Sequence, residues 1–307
     1  MSREHSHSKG CSLNRLGEFQ KCFLYAEKWR KWKMTVNEKI AKIRERMTEN
    51  HIDAVIVPSA DPHMSEYYSE HWKTRAWLSG FTGSAGSFVI TQSVAGLWTD
   101  GRYYVQAEKQ LSGSEGVLFK MNEPETPKIH EYLAKELPEN AVVGINGQLF
   151  SVAYVKEMQK AFKKKNIQID NQVDYANDLW EDRPAESATA VYNLPVKYAG
   201  KSAQQKIEEL RGKLEAAGAE AIFVNALDGI AWLYNIRAND VACTPVAVAY
   251  AYVSKENAIL FTNTARVDAD VLRVLSENGI TMRPYEDVFE YAANIKHQQV
   301  VLCDERE

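Results

Sequence analysis

Residues 75–107 read RAWLSGFTGSAGSFVITQSVAGLWTDGRYYVQA. Ser87–Thr91 (SFVIT) and residues 97–100 (LWTD) are short runs of apolar, β-branched and aromatic residues, with a turn containing Ser93 and Gly96 between them. That pattern predicts two strands of a hairpin. Gly80, Gly83 and Gly86 come just before (GFTGSAG). Spaced glycines cradle a phosphate when a strand precedes them and a helix follows, so that the helix N-terminus faces the anion. Here a strand follows, and the expectation is a tight turn with close backbone approach. The corner TDGRYY leads from a strand end into a helix expected over residues 103–111. Thr99 or Asp100 can cap that helix, and Arg102 can pair with Asp100.

The same frame recurs further along the chain. Residues 39–61 (KIAKIRERMTENHIDAVIVPSAD) align without a gap on residues 206–228 (KIEELRGKLEAAGAEAIFVNALD), at a constant offset of 167 positions. Lys39/Lys206, Ile40/Ile207, Arg44/Arg211, Ala54/Ala221, Val57/Val224 and Asp61/Asp228 are identical pairs. In both copies apolar residues recur at helical spacing (Ile40, Ile43, Met47; Ile207, Leu210, Leu214), and a short wholly apolar run follows (AVIV; AIFV). Gly218 stands where a helix C-cap is expected, with Asn50 near the equivalent place. Runs of that length suit strands buried on both faces. Further strands are expected at residues 245–254 and 257–262, at Val142–Ile145 and Gln168–Asp170, and at 281–283 and 300–302; further helices at 127–137 and 265–277. The fold class is therefore α/β, with two tandem copies of one domain, each a mixed sheet flanked by helices. The expected organisation is an atypical extension over residues 1–33, domain I over 34–180, a linker over 181–202 containing Pro184 and Pro195, and domain II over 203–307.

Bulk properties narrow the function. The 307 residues suit about two domains. The net charge of −4 gives no basic excess for nucleic acid or an anionic membrane. The densest lysine run, Lys163 to Lys165, ends a helical pattern, where cations suit the helix dipole. No apolar run approaches the ~20 residues of a membrane helix. Cysteines at 11, 22, 243 and 303 form no CxxC pair, which points to a reducing cytoplasm. Residues 1–33 lack the apolar core of a secretory signal, so Met34 is a candidate natural start and the extension is expected to be dispensable.

One loop carries candidate chemistry. Asp61, His63, Glu66, Tyr67, His71 and Arg75 follow the first buried strand, where polar groups at a sheet's C-terminal edge often form sites. Asp61 with His63 could act as an acid/base or metal pair, although no nucleophile or further ligand accompanies them. Arg75 could hold a peptide carboxylate or carbonyl with its guanidinium fork. The only GKS, at Gly200, has Pro195 where a P-loop needs its first glycine, so it is set aside.

The run PSADPHMSEYYSEHWKTRAWLSGFTGSAGSFVITQSVAGLWTDGRYYVQA, with WEDRP at Trp180–Pro184 and ALDGIAWLYNIRANDVACTPVAVAYAYV at Ala226–Val253, resembles the Xaa-Pro aminopeptidase (aminopeptidase P) branch of the creatinase/prolidase family, in its long three-domain cytosolic form. The resemblance covers residue 34 to the end. It implies two creatinase N-terminal-like domains ahead of a pita-bread domain that removes an N-terminal residue preceding proline. In the family that third domain holds two divalent ions, usually manganese, on two Asp, one His and two Glu. The seven histidines lie at 5, 7, 51, 63, 71, 130 and 297. Neither Glu305 and Glu307 nor the spaced Asp170, Asp174, Asp178 and Asp182 complete such a set. The expectation is no catalytic residue, metal ligand or cofactor in this chain, with the catalytic domain absent from it. What the resemblance leaves to these residues is assembly and substrate gating: contact with the peptidase domain and with a second subunit of a homodimer, and access for peptides with proline at position two, with Arg75, His63 and Asp61 as the peptide-facing candidates. The alternatives are a stand-alone regulatory or interaction protein, and a small-ligand binding protein using the Asp61–Arg75 loop.

Overall fold

The computed structural model describes residues 34–295 and 300–303; the expectations for residues 1–33, His297, Glu305 and Glu307 lie outside them. Two mixed sheets follow each other along the chain. The first has six strands: β1 (Ala54–Pro58), β2 (Ser87–Thr91), β3 (Ala95–Thr99), β4 (Gly116–Lys120), β5 (Val142–Ile145) and β6 (Gln168–Asp170), in the order β4-β3-β2-β1-β5-β6. β1 runs antiparallel to β2, with Val55 opposite Ile90, and parallel to β5. β2 and β3 form the hairpin expected from the sequence, and β4 and β6 add parallel edges.

Among the described residues the second sheet follows the same plan with five strands. A two-residue strand β7 (Tyr192–Asn193) pairs with β9 (Ile236–Arg237) outside it. The sheet itself contains β8 (Ala221–Val224), β10 (Ala249–Ser254), β11 (Ala258–Thr262), β12 (Thr281–Pro284) and β13 (Val301–Leu302), ordered β12-β11-β10-β8-β13. β8 is antiparallel to β10, β10 to β11, while β12 and β13 are parallel neighbours of β11 and β8. The aligned strands β1 and β8 thus hold the same place in both sheets.

Alternation along the strands builds two cores around each sheet. In the first sheet Val55, Phe88, Ile90 and Leu97 face the helix Val36–Glu49, which contributes Ile40, Ile43 and Met47. Ala54, Ile56, Val89 and Trp98 face the helices Ile129–Glu136 and Val152–Phe162. β1 is therefore apolar because both its faces are covered. In the second sheet, small side chains (Ala249, Ala251, Val253) line the face under the helix Ala203–Ala216, and aromatic ones (Tyr252, Phe261, with Phe223 and Tyr291) line the other. Val191, just before β7, is buried in this second core. No helix among the described residues is long and apolar enough to cross a membrane.

Several boundaries differ from those expected, each for a local reason. Gly96 lies inside β3, not in the turn: a Cβ there would meet the rings of Phe119 and Trp98 at 2.6 Å. The helix expected from residue 265 begins at Ala269, because Asp268 accepts the Val271 N–H at 2.8 Å and caps it. Neither Thr99 nor Asp100 caps the helix Tyr104–Leu111 through its side chain. Thr99 donates its hydroxyl to Ala85 O at 2.7 Å, and Asp100 binds Arg102 at 2.8 Å.

Candidate functional site

The loop leaving β1 turns sharply. Asp61 Oδ1 accepts the backbone N–H groups of His63 (3.2 Å) and Ser65 (2.8 Å), and Met64 takes a left-handed φ of 51°. This turn carries His63 out of the first unit and into the second. His63 Nδ1 lies 2.9 Å from Asn225 O and Nε2 lies 2.9 Å from the Tyr285 hydroxyl. A carbonyl only accepts, so Nδ1 bears the proton and the Tyr285 O–H donates to Nε2. The ring packs 4.4 Å from that of Tyr250, whose hydroxyl donates to Pro62 O at 3.3 Å. Asn225 follows β8 directly, as Ser59 follows β1, so the two copies meet through the loops that leave the same strand.

The junction closes around a buried histidine. His63 is 3% exposed, and burial holds its pKa below the ordinary histidine value, with the Asp61 charge pulling the other way. Burial likewise pushes the Tyr250 hydroxyl up to about 12 and raises Tyr285, with Tyr250 adding to the second shift. All three rings are therefore neutral at pH 7, which suits packing rather than proton transfer.

Arg75 sits elsewhere. It is 2% exposed, in the short helix Thr74–Ser79, and donates to Ser59 Oγ at 2.9 Å and to the carbonyls of Phe81 and Gly83. Its guanidinium lies 4.8 Å from the Phe81 ring centre. Its fork holds the glycine-rich turn. That turn needs its glycines: Gly80 has φ 73°, and a Cβ on Gly86 would come within 2.7 Å of Trp98 O. Asp61 accepts from the His63 backbone, and Arg75 binds Ser59, two residues before Asp61.

A second feature adjoins the junction. His71 donates from Nδ1 to Pro184 O at 2.7 Å, and its Nε2 lies 3.7 Å from Glu186. Arg183 donates to His71 O at 3.0 Å and to Asn177 Oδ1 at 2.6 Å, and stacks 5.3 Å from the Trp72 ring. These groups, with Asn146, Gln148, Asn171, Gln172 and Phe289, line an open cleft of about 730 Å³. Of the residues considered from sequence, His71 and Asp174 line it; Arg183, Glu186, Tyr250 and Tyr285 were missed. Asn225 left a signal as the residue after the repeated AIFV strand, and Arg183 and Tyr250 lie in stretches that carry the family resemblance.

The creatinase/prolidase N-terminal domain family matches this chain twice, over residues 39–176 and 182–307. The chain belongs to that family. Its Xaa-Pro aminopeptidase relatives include aminopeptidase P2 of Arabidopsis thaliana, 39% identical over 84% of this chain and 37% of that protein, and a probable Xaa-Pro aminopeptidase P of Laccaria bicolor, 41% identical over 84% and 40%. The X-prolyl aminopeptidase of Caenorhabditis elegans, described as a cytosolic enzyme with a di-nuclear active site, superimposes with a TM-score of 0.81 at 30% identity, over 85% of this chain and 44% of that one. The chain thus spans about two-fifths of the length of the relatives it matches. It carries two creatinase N-terminal-like domains, each a mixed sheet flanked by helices.

The creatinase/prolidase resemblance raises the question of metals. Among the described residues no three His, Cys, Asp or Glu side chains come close enough together to hold an ion. Asp61 and His63 spend their polar atoms on a turn and on the second unit. These residues do not fit a dinuclear centre.

Proposed function

We propose that this chain is the amino-terminal, two-domain part of a Xaa-Pro aminopeptidase and that it serves assembly and substrate gating for a metallopeptidase domain. The observation that carries the reading is the junction of the buried His63 with Asn225, Tyr250 and Tyr285, which ties the two family domains to each other. A fixed pair of domains can act as a wall of a cleft, whereas two loosely tethered ones cannot. Domain I is taken as residues 34–180, the linker as 181–202 and domain II as 203–307. The partners are the peptidase domain, with two divalent ions, by preference manganese, a second subunit of a homodimer, and peptides with proline at position two; the compartment is the cytoplasm. Asp61, His63 and Arg75 act in this scheme by shaping the wall and the turn beside it.

The test is reconstitution. The purified chain is assayed with a Pro-containing tripeptide and manganese, alone and mixed with a separately produced catalytic domain from a relative. No turnover is expected alone, and a higher kcat/KM or narrower peptide-length range is expected in the mixture. Turnover by the chain alone, or no effect on the catalytic domain, would overturn the proposal.

A further inference from the structure

The cleft beside the junction lies where α/β sheets bind ligands. β1, β5 and β6 run parallel to one another, and the residues that follow them supply its floor: Trp72 from the loop after β1, Gln148 after β5, and Asn171 and Gln172 after β6. Crevices outside the carboxyl ends of parallel strands are the usual ligand sites of such sheets. Glu186, from the stretch between the domains, and Phe289, from the second domain, also line it, so the cleft draws on both domains. Its volume of about 730 Å³ falls in the range of small-ligand sites.

The lining chemistry selects the ligand. Each side-chain amide offers one acceptor oxygen and two donor hydrogens. Gln172 Nε2 already donates to Asn171 Oδ1 at 2.9 Å. The Gln148 amide, the Asn171 Nδ2 donor and the Gln172 Oε1 acceptor remain to complement a chain with alternating carbonyl and N–H groups. The Trp72 ring and the half-exposed Phe289 ring offer flat apolar walls to side chains. Arg183 is already committed to Asp174 and Asn177, whereas the Glu186 carboxylate is half exposed and reaches only to His71 at 3.7 Å. The group left to be neutralised in the cleft is thus an anion, which suits a ligand amino group.

We propose that this cleft binds a short extended peptide with a free amino terminus, the amides of Gln148, Asn171 and Gln172 pairing with its backbone and Glu186 with its ammonium. The peptide class rests on the reading of the chain as part of a peptidase; the place and the amide chemistry do not.

Isothermal titration of the 307-residue chain with Ala-Pro-Ala and with its N-acetylated form tests this. The free tripeptide is expected to bind, and acetylation to weaken it about tenfold. Glu186→Gln should remove the difference between the two peptides. Gln148→Ala and Gln172→Ala should each raise Kd at least fivefold for both, with unchanged circular dichroism. No heat up to 20 mM tripeptide, or equal affinity in wild type and all three variants, would overturn the inference. The reconstitution assay keeps the two proposals distinct. A chain that supports the catalytic domain yet binds no peptide sinks this inference alone. A chain that binds peptide in the cleft yet supports nothing sinks the assembly reading alone.

Discussion

His51 shows how the internal repeat exposes strain at a single residue. It is the repeat partner of Gly218, and both take a left-handed conformation, φ 56° and 67°, just past the end of their helices. Ile52 N–H closes on Met47 O at 2.8 Å as Ala219 N–H closes on Leu214 O at 2.9 Å, so the two caps are the same. Asn50 is the C-cap, and His51 takes the left-handed position after it that Gly218 takes after Ala217. Only glycine adopts this conformation without a Cβ penalty. His51→Gly is expected to stabilise the protein by about 1 kcal/mol, read as a higher urea midpoint at unchanged m-value; a lower midpoint would contradict the cap assignment. Arg75 makes the opposite case. Its guanidinium donates to Ser59 and to two carbonyls of the turn. Lysine cannot reproduce a planar fork. Arg75→Lys should cost about 2 kcal/mol, the scale of leaving a buried carbonyl without its donor. The same change should leave peptide affinity of the cleft unaltered; a stable Arg75→Lys protein with lost peptide binding would restore the direct-contact role.

Matched contacts at the level of helix and strand make the duplication physical. Lys39 donates to Trp77 O at 2.6 Å and lies 4.8 Å from that ring; Lys206, its repeat partner, donates to Trp232 O at 2.7 Å and lies 4.6 Å from that ring. Arg44 donates to Thr91 O at the end of β2, and Arg211 to Ser254 O at the end of β10, both at 2.8 Å. Thr35 with Glu38 and Ser202 with Gln205 form capping boxes at the same offset. Arg44→Met and Arg211→Met should therefore each cost about 1.5 kcal/mol, the worth of a hydrogen bond from a charged donor. Only the first should depend on salt, because Arg44 also pairs with the part-exposed Glu115 at 2.8 Å. Urea melts of both variants at low and high salt check this; equal salt dependence would count against it. The same elements show what was legible in the sequence. β1, β2, β8 and the helices before β1 and β8 could be read because their apolar spacing is local. β4 (GVLFK) could not: it is a partly exposed edge strand whose burial follows no alternation. The Thr74–Ser79 helix has six residues and no side-chain cap. His63 was legible as a polar residue beyond a strand, but its partner Tyr285 lies 222 positions away, and no local pattern couples the two.

At the scale of the whole molecule the two domains are joined by a histidine that must stay neutral, and that makes their union pH-dependent. Burial lowers the His63 pKa, and the Asp61 charge opposes that shift. The groups facing the ring are Tyr250 and Tyr285 from the second domain and Asp61 from its own loop; both tyrosines are raised by burial, so neither supplies a compensating charge in the acid range. The unfolded chain then binds a proton near pH 6.5, whereas the folded chain does so only at lower pH. Stability from this group is complete above pH 6.5 and falls as the pH drops towards the folded value, by up to about 1.4 kcal/mol per pH unit. His130 is also lowered by burial and adds a slope of the same sign. Urea unfolding at pH 7.5, 6.5 and 5.5 should therefore show a steady loss in the wild type. His63→Gln should lower stability at pH 7.5 yet keep only the share of the slope that His130 supplies. Amide exchange in residues 61–65 and 285–287 should accelerate at pH 5.5 before that of β1 or β8, because the junction opens before either sheet does. A His63→Gln protein with the full wild-type acid slope would show that the proton is taken up elsewhere and that the junction is no pH-dependent lock.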